Sequence, residues 1–224
     1  TTGTQTYNGA VSLTGGTVLT ATTASFTGRP IAGGNNDLTF NFSGATAVNG
    51  TTFSNVNNFA SGGGGTTSLS GTITTNGAQT YTDAVTLGGA TILSGTSGAF
   101  TGGVNGAGND LTLNFSAATA IGGGTFSNVD DLASSGPTSL SGNITTTGTQ
   151  TYGGTVTLTG ATVLTGTSGT FASTIAGGNN DLTFNFSGPT TVSGITFGNV
   201  DDFTSSGPTN LTGTITTNGS QSYS

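Results

Sequence analysis

Residues 149–215 read TQTYGGTVTLTGATVLTGTSGTFASTIAGGNNDLTFNFSGPTTVSGITFGNVDDFTSSGPTNLTGTI. Within this stretch Thr155-Val156-Thr157-Leu158 and Leu182-Thr183-Phe184-Asn185-Phe186 alternate apolar and polar side chains, and Gly, Asn, Ser or Pro interrupts every few residues. Alternation of period two in Val-, Thr- and Phe-rich pieces is the signature of short strands, and no stretch carries the 3.6-residue period of a helix. The chain is therefore predicted to be all-β.

Working outward, the same text recurs along the chain. Gln5-Thr6-Tyr7, Gln79-Thr80-Tyr81 and Gln150-Thr151-Tyr152 open three copies, and Gln221-Ser222-Tyr223 opens a fourth; the tyrosines are 74, 71 and 71 residues apart. The copies run approximately over 5–78, 79–149 and 150–220, with 221–224 starting the next, inside one continuous segment 1–224. Apolar marks return in each: Phe26, Phe100 and Phe171; Leu38, Leu111 and Leu182; Phe53, Phe126 and Phe197; Val56, Val129 and Val200. A unit that cannot bury its own apolar face stacks on its neighbour, which predicts a β-solenoid with these marks pointing the same way in every unit. The expectation is three or four coils of about 18 to 24 residues per repeat, strands of about four to six residues, and a rod roughly 45 to 60 Å long. Val, Leu, Ile and Phe ladders would fill the inside, Thr and Ser would cover the outside, and Gly and Asn would take left-handed corner conformations. The competing architecture is three small β-sandwich beads, which usually carry a larger core, often with Trp, and a visible linker. The turn Thr27-Gly28-Arg29-Pro30-Ile31 is one residue longer than Thr101-Gly102-Gly103-Val104, and the run Gly62 to Gly65 is two longer than Ser135-Gly136-Pro137. Both insertions fall in predicted turns, where stacked strands are undisturbed.

Composition narrows the function classes. Of 224 residues 42 are Gly and about a quarter are Thr, with 13 Phe and no Trp, Met or Cys. Regularly spaced Val, Ile, Leu and Phe argue against a disordered linker. Eight Asp against one Arg give a net charge of -7, so nucleic acid is a poor partner and anionic lipid has little to attract. No apolar run is long enough for a membrane-spanning helix. The chain begins without Met and near the end of a repeat unit, which reads as a piece of something longer. Without cysteine, repetitive packing and hydrogen bonds must supply stability.

Few residues could carry chemistry. Asp37, Asp110 and Asp181 end Gly/Asn clusters, and Asp130-Asp131 and Asp201-Asp202 form doublets replaced by Asn57-Asn58 in the first copy. These seven acids are weak calcium candidates, because GGNNDLTF lacks the third glycine of the GGxGxDxUx nonapeptide and its nine-residue period; the alternative is that Asp and Asn cap turns. A glycosidase needs an acid and a base across a sugar, and adjacent residues such as Asp201-Asp202 are a poor pair for that. With no His, Cys, Lys or Glu there is little from which to build an activated serine or a zinc centre, so no catalytic, cofactor-binding or metal residue is assigned and no enzyme is expected. Arg29 occurs in one copy only. Asn41, Asn114 and Asn185 match the N-glycosylation pattern in Asn-Phe-Ser, facing opposite to the flanking Phe. Tyr7, Tyr81, Tyr152 and Tyr223 could stack on sugars, or serve as packing anchors whose hydroxyls reach the surface.

The units TQTYNGAVSLTGGTVLT, AQTYTDAVTLGGATILSG and TQTYGGTVTLTGATVLTG, each followed by NDLTFNFSG or NDLTLNFSA, resemble the repeat regions of large bacterial surface and secreted adhesins of the filamentous haemagglutinin-like and autotransporter-like kind. The resemblance covers nearly the whole chain and is specific to that broad class only. It implies a right-handed parallel β-helix, exported and displayed extracellularly or at the bacterial cell surface as a stalk or filament, in adhesion, biofilm or cell-to-cell contact. No ligand residue carries over, because the matched positions are structural. The partners expected are neighbouring repeats of a longer chain, further copies joined end to end through uncapped strand edges, or surface glycans. The other readings are a carbohydrate- or ice-binding solenoid and a self-assembling filament or sheath subunit.

Overall fold

The computed structural model describes residues 1–26, 30–122, 126–193 and 196–224. Among them there is no helix, and every strand pairing is parallel, each coil lying on the one before. The chain is a parallel β-solenoid of about 11 coils, and the parallel ladder runs through it without a boundary that would separate sandwich beads.

The paired residues are between 17 apart, as Val129 and Thr146, and 22 apart, as Val104 and Phe126. At the usual parallel spacing eleven coils rise about 53 Å. The predicted alternation is present in Leu182–Phe186, where Leu182, Phe184 and Phe186 are buried and Asn185 is exposed. Many strands are longer than predicted. Val104–Phe115 and Ile175–Phe186 each run for 12 residues, because pairing continues around a corner with a slip of register, as between Asn105, Asn109 and Leu111.

Each coil has three sides. One stack of inward positions begins at Thr17 and climbs through Leu38, Phe59, Gln79, Gly98, Thr119, Thr138, Val156, Ile175, Phe197 and Ile215. Gln79 is the repeat equivalent of Gln5, yet Gln5 starts a different stack, below Ala24. From Gln5 the chain returns to its own side at Ala24, Thr46 and Thr67, passes the Val11 side at Ile73, and reaches the Thr17 side at Gln79. One repeat is thus three coils and two thirds of a fourth. Successive copies are turned by a third of a revolution and displaced by about 18 Å along the axis. Accordingly Tyr7 lies on the Gln5 side, Tyr81 on the Thr17 side, Tyr152 on the Val11 side and Tyr223 on the Gln5 side again. The apolar marks all point inward, but they point in three directions, which corrects the expectation that equivalent residues share one.

The lumen is filled. Tyr81 packs flat on Phe100 with centroids 5.1 Å apart, and Tyr152 packs on Phe171 at the same distance. At the corners Asn35, Asn55, Asn128, Asn179 and Asn199 take positive φ, as the sequence led us to expect, together with Gly34 and Gly178. Gly106 is needed for a different reason: a Cβ there would collide with Val129 Cα and Asn128 O of the next coil, and Gly33 and Gly177 stand in the same situation.

Candidate functional surface

The opening Gln-x-Tyr of the second and third repeats forms a buried clamp. Gln79 is fully buried; its Nε2 donates to Ser94 O at 2.9 Å, Ile73 O at 3.2 Å and Thr75 Oγ1 at 3.3 Å, and its Oε1 accepts the Tyr81 hydroxyl at 2.8 Å. Gln150 repeats the pattern with Ile144 O, Thr146 Oγ1, Thr165 O and Tyr152. The clamp joins one coil to the next, since Ser94 lies over Thr74. Burial pushes the Tyr81 and Tyr152 phenols well above their ordinary pKa. The hydroxyls of these two tyrosines therefore do not reach the surface, and neither ring can stack on a sugar. The sequence signal for the clamp was the recurrence of Gln two residues before Tyr at the same alternation phase.

The acids sit at corners. Asp37 Oδ1 accepts the Asn58 amide at 3.1 Å and the side-chain amides of Asn57 and Asn58, both at 2.9 Å. Asp110 and Asp181 accept the amides of Asp131 and Asp202, one coil up, at 3.2 Å. Asp131 then accepts Thr149 N at 2.7 Å, Asp202 accepts Ser220 N at 2.6 Å, and in the first copy Asn58 Oδ1 accepts Ala78 N at 2.8 Å. Asp130 accepts the Thr147 hydroxyl at 2.9 Å. Asp201 is exposed beside Asp202. The Asn58 amide, followed by the Asn57 side chain, holds the Asp37 carboxyl below its ordinary pKa; the amide and then the hydroxyl of Ser220 do the same for Asp202. Among the described residues no three carboxylates converge on a point where a metal ion could be held. The arrangement is one of turn caps handed from coil to coil.

Asp83, which the sequence reading passed over, is buried and accepts the Gly64 amide at 2.8 Å. It thereby closes the two-residue insertion at Gly62–Gly65 in the coil below. Thr46, Thr119 and Thr190 were also passed over. They are repeat equivalents whose buried hydroxyls have no hydrogen-bond partner. Their position in Thr-Ala-Val, Thr-Ala-Ile and Thr-Thr-Val, in phase with an inward Val or Ile, was the available signal.

Outside, the mid-strand rows carry uncharged residues, mostly small, with Val18 and Ile92 as exposed larger apolar ones. On the Val11 side the row runs Thr72, Ile92, Thr112, Ala133, Thr151, Thr170, Thr191, Asn210. Asn41, Asn114 and Asn185 are exposed, each beside a buried Phe. The depression bounded by Ala84, Thr86, Gly103, Asn105 and Ser127 is open to solvent. Arg29 and the adjoining insertion at Thr27-Gly28 lie outside the described residues. Among the described residues no helix is long and apolar enough to cross a membrane. Comparison with protein-family models, with curated proteins and with solved structures finds no match.

Proposed function

We propose that this chain is a structural repeat segment, the stalk or fibre shaft, of an extracellular bacterial adhesin or surface filament, and that it has no enzymatic activity. The observation that carries the reading is the unbroken parallel ladder with a filled lumen. The Thr17 side is paired by backbone hydrogen bonds from the first coil to the last, and from the fourth coil on the other two sides are paired as well, so the molecule resists bending and holds whatever is attached to it at a distance. Among the described residues the carboxylates cap turns and the faces are largely hydroxylated, which suits a display element in water. Adhesion and biofilm roles would then belong to the assembly that the shaft supports.

A second reading, end-to-end association, has its own observation. Leu211, Ile215 and Tyr223 in the last coil are partly or fully exposed, whereas their equivalents Leu140, Ile144 and Tyr152 are covered by the coil above. A further coil of the same kind, from another repeat or another copy, fits that edge. A carbohydrate- or ice-binding role would use the run Thr151, Thr170 and Thr191, and a glycan array with a thermal-hysteresis assay addresses it. Electron micrographs of the purified chain, before and after dilution, test the main reading. Rods of about 53 Å at all concentrations agree with a shaft segment; long filaments with an axial repeat would make self-assembly the primary property, and compact beads would overturn both.

A further inference from the structure

Seven asparagines stand in Asn-x-Ser/Thr triplets, and the structure sorts them. In Asn41-Phe42-Ser43, Asn114-Phe115-Ser116 and Asn185-Phe186-Ser187 the Phe is anchored in the lumen, 1–2% exposed, while Asn and Ser are both exposed on the outer surface. The side chains of i and i+2 on a strand project to the same side. The Asn114 and Asn185 Nδ2 groups donate to no protein group, although Asn185 Oδ1 accepts the Ser206 hydroxyl at 3.0 Å; the hydroxyls of Ser43, Ser116 and Ser187 are unengaged, and Asn41 Nδ2 meets Thr20 Oγ1 only at 3.4 Å. The neighbours one coil away are small: Thr20 and Gly62 for Asn41, Ser94 for Asn114, Thr165 for Asn185. Asn143-Ile144-Thr145 has the same outward, unengaged pair around a buried Ile144.

In the remaining three triplets the Ser/Thr hydroxyl itself is engaged. Asn49 Oδ1 accepts both the amide and the hydroxyl of Thr51, at 2.9 and 2.6 Å. The hydroxyl of Thr212, which completes the Asn210 triplet, donates to Val192 O at 3.1 Å. Asn218 Nδ2 donates to Asn179 Oδ1 at 2.7 Å, and Ser220 Oγ donates to Asp202 at 2.9 Å.

We propose that Asn41, Asn114 and Asn185, with Asn143 beside them, are acceptor sites for N-linked glycosylation by a transferase that reads Asn-x-Ser/Thr. In the step the anomeric carbon of a nucleotide-activated sugar forms a bond to Nδ2. The bond from that carbon to the nucleotide phosphate breaks, the phosphate leaves with its electron pair, and one Nδ2 proton is released. Because each repeat is turned by a third of a revolution, the three recurring sites lie on three different sides of the shaft, about 18 Å apart along it. One acceptor per repeat therefore clothes the whole circumference. The inference requires only exposed triplets on the folded solenoid and stands apart from the shaft reading, so either can fail alone.

The test incubates the folded, purified chain with a soluble Asn-x-Ser/Thr-specific glycosyltransferase and its nucleotide sugar, followed by intact mass and peptide mapping. An Asn-Phe-Ser triplet in a flexible C-terminal extension serves as internal control. The expected result is a one-sugar mass increment at each of Asn41, Asn114, Asn143 and Asn185, with Asn49, Asn210 and Asn218 left bare. Ser116→Ala should remove the increment at Asn114 alone. Modification of the control triplet without modification of the four sites, or equal occupancy at all seven, would overturn the proposal.

Discussion

At the scale of single residues the repeats act as controls for one another. Ala107 takes φ 50° where its equivalents Gly34 and Gly178 take 58° and 60°, so the second copy carries a side chain in a conformation that glycine adopts without cost. Ala107→Gly should raise stability by about 1 kcal/mol, read as a higher midpoint in denaturant. The unpartnered hydroxyl of Thr119 offers a second case. Replacing a buried polar group that lacks a partner with an apolar one of the same shape removes its desolvation cost, and Thr119→Val should stabilise by about 1–2 kcal/mol; a drop in the melting temperature would show that the hydroxyl has a partner after all. Asparagine at the corners was legible in the sequence because its short side chain tolerates the left-handed region. The lone threonines were harder to read, since Thr is so common here that one facing inward looks like the many facing out.

At the scale of the element, the clamp and the corner caps tie coil to coil. Gln150→Leu keeps an apolar volume but strands the Tyr152 hydroxyl and the Ile144 and Thr165 carbonyls, a loss of about 2–4 kcal/mol. Equilibrium unfolding measures it, and a neutral result would mean that the network is dispensable. The caps predict an acid limit. Asp37 and Asp202 have folded pKa values below the ordinary 3.8, so the folded state favours their charged forms. Their contribution is complete above the unfolded value, near pH 4, and is lost as pH falls through the lowered folded values. Melting temperatures from pH 7 down to pH 2 should therefore hold to about pH 4 and then fall. Asp202→Asn, which restores the first copy's chemistry at Asn58, should flatten part of that fall; an unchanged profile would place the acid sensitivity elsewhere. Short alternating strands were evident from the sequence, but their continuation around corners was not, because the corner residues read locally as breaks and pair only when the next coil lies over them.

At the scale of the whole molecule, the third-of-a-turn screw decides what a repeat can present. Thr80 and Thr157 lie on one side, joined through Ala99, Ala120 and Ser139, whereas Thr151, the repeat equivalent of Thr80, lies on another. The chain has no cysteine, so spin labels can be placed by Thr80→Cys with Thr157→Cys, or by Thr80→Cys with Thr151→Cys. The second pair is closer along the axis, yet its distance should be the longer of the two in pulsed dipolar spectroscopy. The reverse order would mean that each repeat makes a whole number of coils. For recognition, the same geometry means that a partner reading one repeat meets the next copy of its site around the shaft rather than directly above.

The sequence by itself determined the all-β class, the repeat and its boundaries, the inward and outward phases of each strand, the corner asparagines and the scarcity of catalytic side chains, because each of these is written in a window of a few residues. Tertiary structure alone decided how the repeat closes on itself. Coil lengths of 17 to 22 residues depend on how each corner fits the one beneath it, and their sum leaves every copy two thirds of the way into its fourth coil. That remainder has no local signal, and it sets which side of the solenoid Tyr81, Tyr152 and every other repeated residue finally occupies.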